Sequence, residues 1–266
     1  MSQDWIDPVI FSLGPLQVRW YGLMYVMGFL VGGAILKYLA DKKFWQPPKE
    51  AIDKYVTWLI VGMFIGARTF YVFIYNWEYY SQNFLDIFSV WKGGLSFHGA
   101  VVGMCTVTFL FAKKYKLHFF HIGDCMAVAG SPGLFFGRLG NFINGELYGR
   151  VTDSWAGVVF PGGGPFPRHA SQLYEGVLEG IVLFVILFWL HKRQRFYGVV
   201  SATFLLGYGT FRFIVEFFRE PDAQLGYYFG YFTMGQILCM LMWPLAFILF
   251  KYAKKINLKN PWIPAR

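Results

Sequence analysis

The stretch "CMAVAGSPGLFFGRLGNFINGELYG", residues 125–149, carries two opposed chemistries in one run. Its first half is apolar or small and has the composition of a membrane-spanning helix. Its second half gathers Arg138, Asn141, Asn144 and Glu146, punctuated by Gly137, Gly140, Gly145 and Gly149. An ionised side chain at bilayer depth costs at least ~2.5–3.5 kcal/mol on insertion scales, so it normally faces a cavity or a partner. The stretch therefore reads as the end of a span that opens into a polar site.

The rest of the chain agrees with lipid as its solvent. Its 266 residues are 56% hydrophobic, 21% aromatic and only 15% charged, with a mean hydropathy of +0.42. A soluble protein of this length carries nearer a quarter charged residues, about what its surface needs. The fold expected is an all-α polytopic membrane protein with about seven spans, at 20–40, 55–75, 97–112, 119–137, 174–190, 197–216 and 231–250. Several fall slightly below the ~20 residues a crossing helix needs, the third and fifth most clearly. With the N-terminus outside and the C-terminus inside, the inner loops and tail hold sixteen of the 24 Lys and Arg, at Lys37–Lys54, Lys113–Lys116, Lys192–Arg195 and Lys251–Arg266. The reverse orientation leaves eight inside, so the distribution of basic residues favours the first. The net charge of +9 is thus mostly an orientation signal and gives no support for nucleic-acid binding.

The other eight cations are Arg19, Arg68, Lys92, Arg138, Arg150, Arg168, Arg212 and Arg219. All but one are Arg, whereas the inner set is mostly Lys. Arg offers a planar fork suited to phosphate or carboxylate, and Lys only a point charge. No cleavable signal peptide is evident in "MSQDWIDPVIFSLGPLQVRW". Cys105, Cys125 and Cys239 lie in expected spans and read as small packing residues. The chain reads as one membrane domain over 1–266, with outer excursions at about 76–96 and 138–173. The second, containing "PGGGPFP", reads as a small outer subdomain. Glycine pairs four apart, Gly28/Gly32, Gly62/Gly66, Gly99/Gly103, Gly133/Gly137 and Gly176/Gly180, are expected to let spans approach closely.

Polar residues recur at the outer span ends. Arg68 lies in the outer half of the second span, His98 opens the third and Arg138 closes the fourth. Tyr208, Arg212 and Glu216 are spaced four apart and share one helix face, with Arg219 near it. Four sites on four spans imply one convergent pocket. In "RHASQLYE" (168–175), Ser171 reads as a helix cap and Glu175 as a first-turn acid favoured by the helix dipole. No Asp cluster offers a Mg²⁺ site and no Cys/His spacing offers zinc, so neither metal nor cofactor is expected. An anion transporter would extend the polar residues to the inner side, and a purely structural lipid-binding protein would not need His98.

"GRLGNFINGELYG" (137–149) resembles the signature of bacterial phosphatidylglycerol–prolipoprotein diacylglyceryl transferases, G-R-x-[GA]-N-F-x-N-x-E-x-x-G, at every specified position. Further blocks resembling that family are "RWYGLMY" (19–25), "GARTFYVFIYN" (66–76), "GGLSFHGA" (93–100), "RHASQLYE" and "FRFIVEFFREPD" (211–222). The chain departs from the pattern at Ala170, where the family usually has Pro. The resemblance implies transfer of the diacylglyceryl group of phosphatidylglycerol to the thiol of a lipobox cysteine in a prolipoprotein signal peptide, with release of glycerol-1-phosphate. It implies a bacterial inner-membrane protein with its site toward the periplasm. The thiol attacks carbon and phosphate departs, so Arg forks on the phosphate oxygens are worth most in the transition state. Arg138 and Arg212 are the expected clamps. A free thiol is roughly 3% ionised at neutral pH, and His98 is the expected base. Asn141, Asn144 and Glu146 are expected to hold glycerol hydroxyls, Gly149 to permit close backbone approach, and Tyr21, Arg68 and Tyr208 to line the headgroup site, with Glu216 holding Arg212.

Overall fold

A computed structural model of the chain describes residues 5–14, 16–89, 91, 93–194, 196–221, 227–228, 230–256 and 259. Lys92, Arg195 and Arg266, counted above for orientation, and Asp222, in a family-like block, lie outside the described residues. The described chain is mostly helical. In order come α1 (Trp20–Asp41), α2 (Ala51–Phe70), α3 (Trp77–Gln82), α4 (Phe97–Lys114), α5 (Phe119–Ile143), α6 (Ser171–Glu175), α7 (Leu183–His191), α8 (Val199–Val215) and α9 (Met234–Lys255). Two short antiparallel hairpins qualify the all-α expectation. They pair β1 (Val9–Leu13) with β2 (Leu16–Arg19), and β3 (Tyr227–Tyr228) with β4 (Phe232–Thr233).

Among the described residues, four continuous helices are long and apolar enough to cross a membrane: Trp20–Asp41, Ala51–Tyr75, Ser171–His191 and Met234–Lys255. Helix α8 is apolar but shorter. Their outer surfaces are greasy. Leu30, Ile65, Leu241 and Ile248 are each more than 60% exposed, a pattern that fits lipid contact and not water. The helix expected at 174–190 is longer than its apolar run, because Ser171, Gln172 and Glu175 are buried within its first turns. Its backbone is α-helical to Glu175, π-helical over Gly176–Val182 and α-helical again to His191. Helix α5 runs past Arg138 to Ile143, so the second excursion is confined to 144–170.

The chain divides into two compact units, one of residues 1–38 with 124–266 and one of 39–123. The second unit is built on the α2–α4 pair. A Cβ on Gly66 or Gly103 would overlap a carbonyl oxygen of the facing helix, that of Gly99 and Gly62 respectively. Main chain therefore rests on main chain along Gly62, Gly66, Gly99 and Gly103. In lipid, where apolar burial supplies no driving force between helices, such close packing is the main source of cohesion. Arg68 holds the first excursion to this pair. Its guanidinium donates to the carbonyls of Asp86 (2.6 Å), Ile87 (2.8 Å), Gly93 (2.7 Å) and Gly94 (3.0 Å).

In the first unit, α1 meets α5 through Gly28 and Gly32, whose Cβ positions would stand 3.2 Å from Gly133 Cα and 3.0 Å from Ala129 O. Gly176 and Gly180 face Phe135 of α5 in the same way. The start of α8 is capped from α5. The fully buried Asp124 accepts from Gly198 N (2.8 Å), Ser201 N (2.9 Å) and Ser201 Oγ (2.6 Å), satisfying donors that a helix start leaves open. Helix α9 caps itself, through reciprocal bonds between Thr233 and Gln236. The second excursion packs on aromatic rings: Phe160 contacts Trp5, Phe142 and Tyr148 at centroid distances of 5.2, 5.8 and 5.4 Å.

Gly103→Leu is expected to force α2 and α4 apart. The cost should reach or exceed the ~1–3 kcal/mol of an overpacked core, read as a lowered melting temperature of the purified protein in detergent. A variant as stable as the parent would mean that the glycine seam bears no packing load.

Candidate active site

The last turns of α5 deliver the signature. Arg138 and Asn141 are on the helix, and the chain then turns at Gly145 (φ +67°), where a side chain would also meet Pro161 Cγ at 2.7 Å. The turn carries Glu146 back over the helix end. Its Oε1 accepts from Asn141 Nδ2 (2.9 Å) and Asn144 Nδ2 (3.1 Å). Its carbonyl accepts from Gln172 Nε2 (2.7 Å) of α6. Tyr21, at the start of α1, lies beside this group: its hydroxyl faces Asn141 and Glu146 and pairs with that of Tyr25 (3.2 Å). Asn141, Asn144, Glu146 and Tyr21 thus share one corner of the first unit.

Gly149 allows a close approach, but of protein to protein. Its N–H donates to His169 O (2.8 Å), it bridges Arg219, and an added Cβ would overlap Phe218 O. Ser171 does not cap α6. The residue before the helix is Ala170, and Ser171 Oγ instead donates to Leu147 O (3.2 Å). Arg168 is occupied by Gly163 O (2.7 Å), Gly149 O (3.1 Å) and Glu220 Oε2 (3.1 Å), and His169 meets the Tyr174 hydroxyl at 3.3 Å.

Beneath this corner is a buried cluster of charges. Glu175, the residue read as a dipole acid, is its centre and is fully buried. Its Oε2 lies 2.6 Å from Arg138 Nε, and its Oε1 lies 2.7 Å from Arg212 Nη1 and 3.4 Å from Arg219 Nη1. Arg212 turns its other fork nitrogen, Nη2, onto Glu216 Oε1, the partner expected from the four-residue spacing. Glu216 Oε2 accepts from Thr233 Oγ1 (2.8 Å), and Gly235 lets the start of α9 come up against the same carboxylate. Arg219 Nε stands 3.9 Å from Glu216 Oε1. Glu179, one π-helical turn inward from Glu175, is also fully buried and interacts electrostatically with Arg138, Arg212 and Arg219. Tyr208, one turn before Arg212, shares that field with Glu179 and Arg138.

Three guanidiniums and three carboxylates therefore converge from α5, the helix of 171–191 and α8. Arg138 is the most open of the three cations, its side chain 21% exposed against 14% for Arg212 and 10% for Arg219. Its closest approach to Glu175 is at Nε, and neither Nη nitrogen donates a hydrogen bond to a described residue. Such a fork can take two oxygens of an anion from the open side. His98 and Arg68 belong to the second unit. His98 is exposed at the start of α4, with Nδ1 3.0 Å from the Tyr75 hydroxyl. The described residues of this chain contain no group of His, Cys, Asp and Glu fit to hold a metal ion.

Two central groups, Glu175 and Glu179, carried no site expectation from sequence. The signal that could have found them is spacing: they stand four apart in an otherwise apolar span, as Arg212 and Glu216 do.

A family model described as "Prolipoprotein diacylglyceryl transferase" matches residues 8–252. A phosphatidylglycerol–prolipoprotein diacylglyceryl transferase of Oleidesulfovibrio alaskensis is 49% identical over 250 residues, covering 94% of this chain and 94% of its own. A Vibrio parahaemolyticus protein of the same name is 50% identical over 254 residues, 95% of this chain and 93% of its own. One from Geobacter sulfurreducens is 50% identical over 237 residues, 89% and 91%.

Glu175→Ala is expected to destabilise the protein by about 3–5 kcal/mol, because it leaves three guanidiniums facing one another with their buried counter-charge removed. The measurement is thermal unfolding in detergent beside Glu220→Ala, whose exposed carboxylate should cost under about 1 kcal/mol. Equal losses in the two variants would show that Glu175 is not the anchor of the cluster.

Proposed function

This chain belongs to the prolipoprotein diacylglyceryl transferase family, and we propose from that membership how its buried charge cluster serves the reaction. The protein is a multi-pass membrane enzyme, a phosphatidylglycerol–prolipoprotein diacylglyceryl transferase, acting at the first step of lipoprotein maturation. The finer reading is that the diacylglyceryl group passes to the thiol of a lipobox cysteine on a signal peptide. Sulfur attacks the glycerol carbon, the carbon–oxygen bond to phosphate breaks, and glycerol-1-phosphate departs with the bonding electrons. Seven spans would cross the bacterial inner membrane, with the N-terminus and the site on the periplasmic side and the C-terminus in the cytoplasm. The whole chain acts as one transferase domain.

The observation that carries the mechanism is the partly open Arg138, held to Glu175 at Nε, beside an Arg212 ion-paired at both fork nitrogens. The Nη nitrogens of Arg138 take the phosphate oxygens of the lipid. Arg212, fixed at both fork nitrogens by Glu175 and Glu216, supplies positive field without having to reorient as the leaving group gains charge. Stabilisation that is already in place at the moment of bond breaking is the kind that lowers a barrier. Tyr21, Asn141, Asn144 and Glu146 hold the glycerol hydroxyls. Tyr208 lines the headgroup site from below. Gly149 acts at one remove, seating the outer loop on the strand of Arg219. Arg68 is assigned to the headgroup site by the family resemblance and not by a contact. His98, on the second unit, is the base for the thiol by its chemistry: in the tautomer whose Nδ1–H donates to the Tyr75 hydroxyl, the exposed imidazole keeps Nε2 to accept a proton.

The test is to incubate the purified protein with phosphatidylglycerol and a lipobox peptide and weigh the peptide. Arg138→Ala and Arg212→Ala should each lower transfer at least ~10²–10³-fold, the scale for removing one group that stabilises developing negative charge. Arg138→Lys should rescue little, because a point charge cannot replace the fork. Near-normal transfer by either Ala variant removes the clamp assignment.

His98→Gln should lose most activity in the same assay and regain part of it at raised pH, where the peptide thiol ionises unaided. An unaltered pH profile would place the base elsewhere.

A further inference from the structure

Glu179 is the buried group that the mechanism above leaves without a task. It is 0% exposed, and among the described residues neither carboxylate oxygen accepts a hydrogen bond. Its two companions are different. Glu175 is held by close contacts to Arg138 and Arg212, and Glu216 by Arg212 and the Thr233 hydroxyl. Glu179 instead sits on the π-helical segment Gly176–Val182, a form of backbone that recurs at functional positions. The charged and titratable groups facing it come from every neighbouring element. They are Arg138 of α5, Glu175 of its own helix, Tyr208 and Arg212 of α8, Arg219 just beyond α8, and Cys239 of α9.

Formal charge sets the problem. Arg138, Arg212 and Arg219 balance Glu175, Glu179 and Glu216 when all six are ionised, and the cluster is neutral before any lipid arrives. Glu146, the nearby carboxylate of the outer corner, is exposed and screened by solvent. Phosphatidylglycerol brings a phosphate with a negative charge. Admitting it to a neutral cluster would leave an uncompensated anion beside a membrane-spanning helix, where charge is least tolerated. A proton taken up at the same moment removes the excess. Only one of the three carboxylates can accept it without giving up a hydrogen bond or an ion pair.

We propose that binding of the anionic lipid headgroup to the Arg138–Arg212–Arg219 cluster is coupled to uptake of a proton by Glu179. Glu179 is then a positioning residue: it touches neither sulfur nor phosphorus and acts through the three guanidiniums, freeing one unit of positive charge for the phosphate. The coupling also gives selectivity. A neutral lipid of the same shape, such as diacylglycerol, brings no charge and needs no proton. This inference rests on the reading that the cluster receives a phosphatidylglycerol phosphate.

The sign of the linkage is fixed. If the complex holds one more proton than the free protein and lipid, affinity falls as pH rises, approaching tenfold per pH unit where the free carboxylate is ionised. The experiment measures binding of phosphatidylglycerol and of diacylglycerol to the full-length protein in detergent micelles across the alkaline range. Calorimetry in two buffers of different ionisation heat counts the protons in the unmodified protein, so one readout needs no variant. The unmodified protein should take up close to one proton per phosphatidylglycerol on the alkaline side, and none with diacylglycerol. Glu179→Gln, a neutral isostere of the protonated acid, should keep phosphatidylglycerol binding and flatten its pH dependence to within about twofold. Cys239→Ser should keep the wild-type slope. Phosphatidylglycerol binding with no proton uptake, or a slope unchanged in Glu179→Gln, overturns the inference and leaves the proposed function standing. Failure of the unmodified protein to bind phosphatidylglycerol at all would overturn both.

Discussion

Everything at the charged end of the first unit depends on the contact between one buried carboxylate, Glu175, and three guanidiniums. Each guanidinium comes from a different part of the chain: the end of α5, the last turns of α8 and the turn beyond it. Without the carboxylate they would repel one another in a medium that screens poorly. With it, the helices that bear them are tied at a common height. Buried ion pairs are weak evidence for net stability, because desolvating the partners offsets most of their attraction. Their worth here lies in geometry: they hold positive charge ready at a fixed place.

The neighbouring features extend that constraint. The Asn141–Glu146–Asn144 turn closes over the cluster, and Gln172 pins the turn to α6. The outer loop is stitched down by Gly149, whose missing side chain allows main chain to lie against Phe218 and His169. At the opposite end of α5, Asp124 caps α8, so the same two helices are joined both at their charge cluster and by hydrogen bonds to the Asp124 carboxylate. Helix ends, where backbone groups lack internal partners, are thus used as fastening points throughout.

What could be read from sequence follows from how local each interaction is. Helix positions were legible because apolar runs of span length are a property of contiguous residues. The Arg212–Glu216 pair was legible because both groups lie on one helix, four apart. The signature turn was legible as a polar site because its residues are adjacent. Glu175 was misread as an answer to the helix dipole, since its three partners lie 37 or more positions away and no local rule connects them. Ser171 looked like a cap for the same reason, whereas its hydroxyl reaches back to Leu147. Arg68, expected at the headgroup, spends its fork on the carbonyls of its own excursion. The fifth span appeared short because hydropathy stops at the first polar residue, although the helix begins at Ser171 and Gln172, whose side chains find buried partners.

The π-helical segment between Gly176 and Val182 gives the enzyme a dimension of adjustment that a regular helix lacks. Successive residues of an α-helix are rotated by about 100°. Removing a single residue from the widened stretch would let it relax to the ordinary repeat and would swing everything above it by roughly that angle. Glu175 would then turn away from its three guanidiniums, while the other half of the helix kept its packing. The length of this short segment therefore works as an angular setting, by which insertion or loss of one residue moves the charged end of the helix without redesigning the rest.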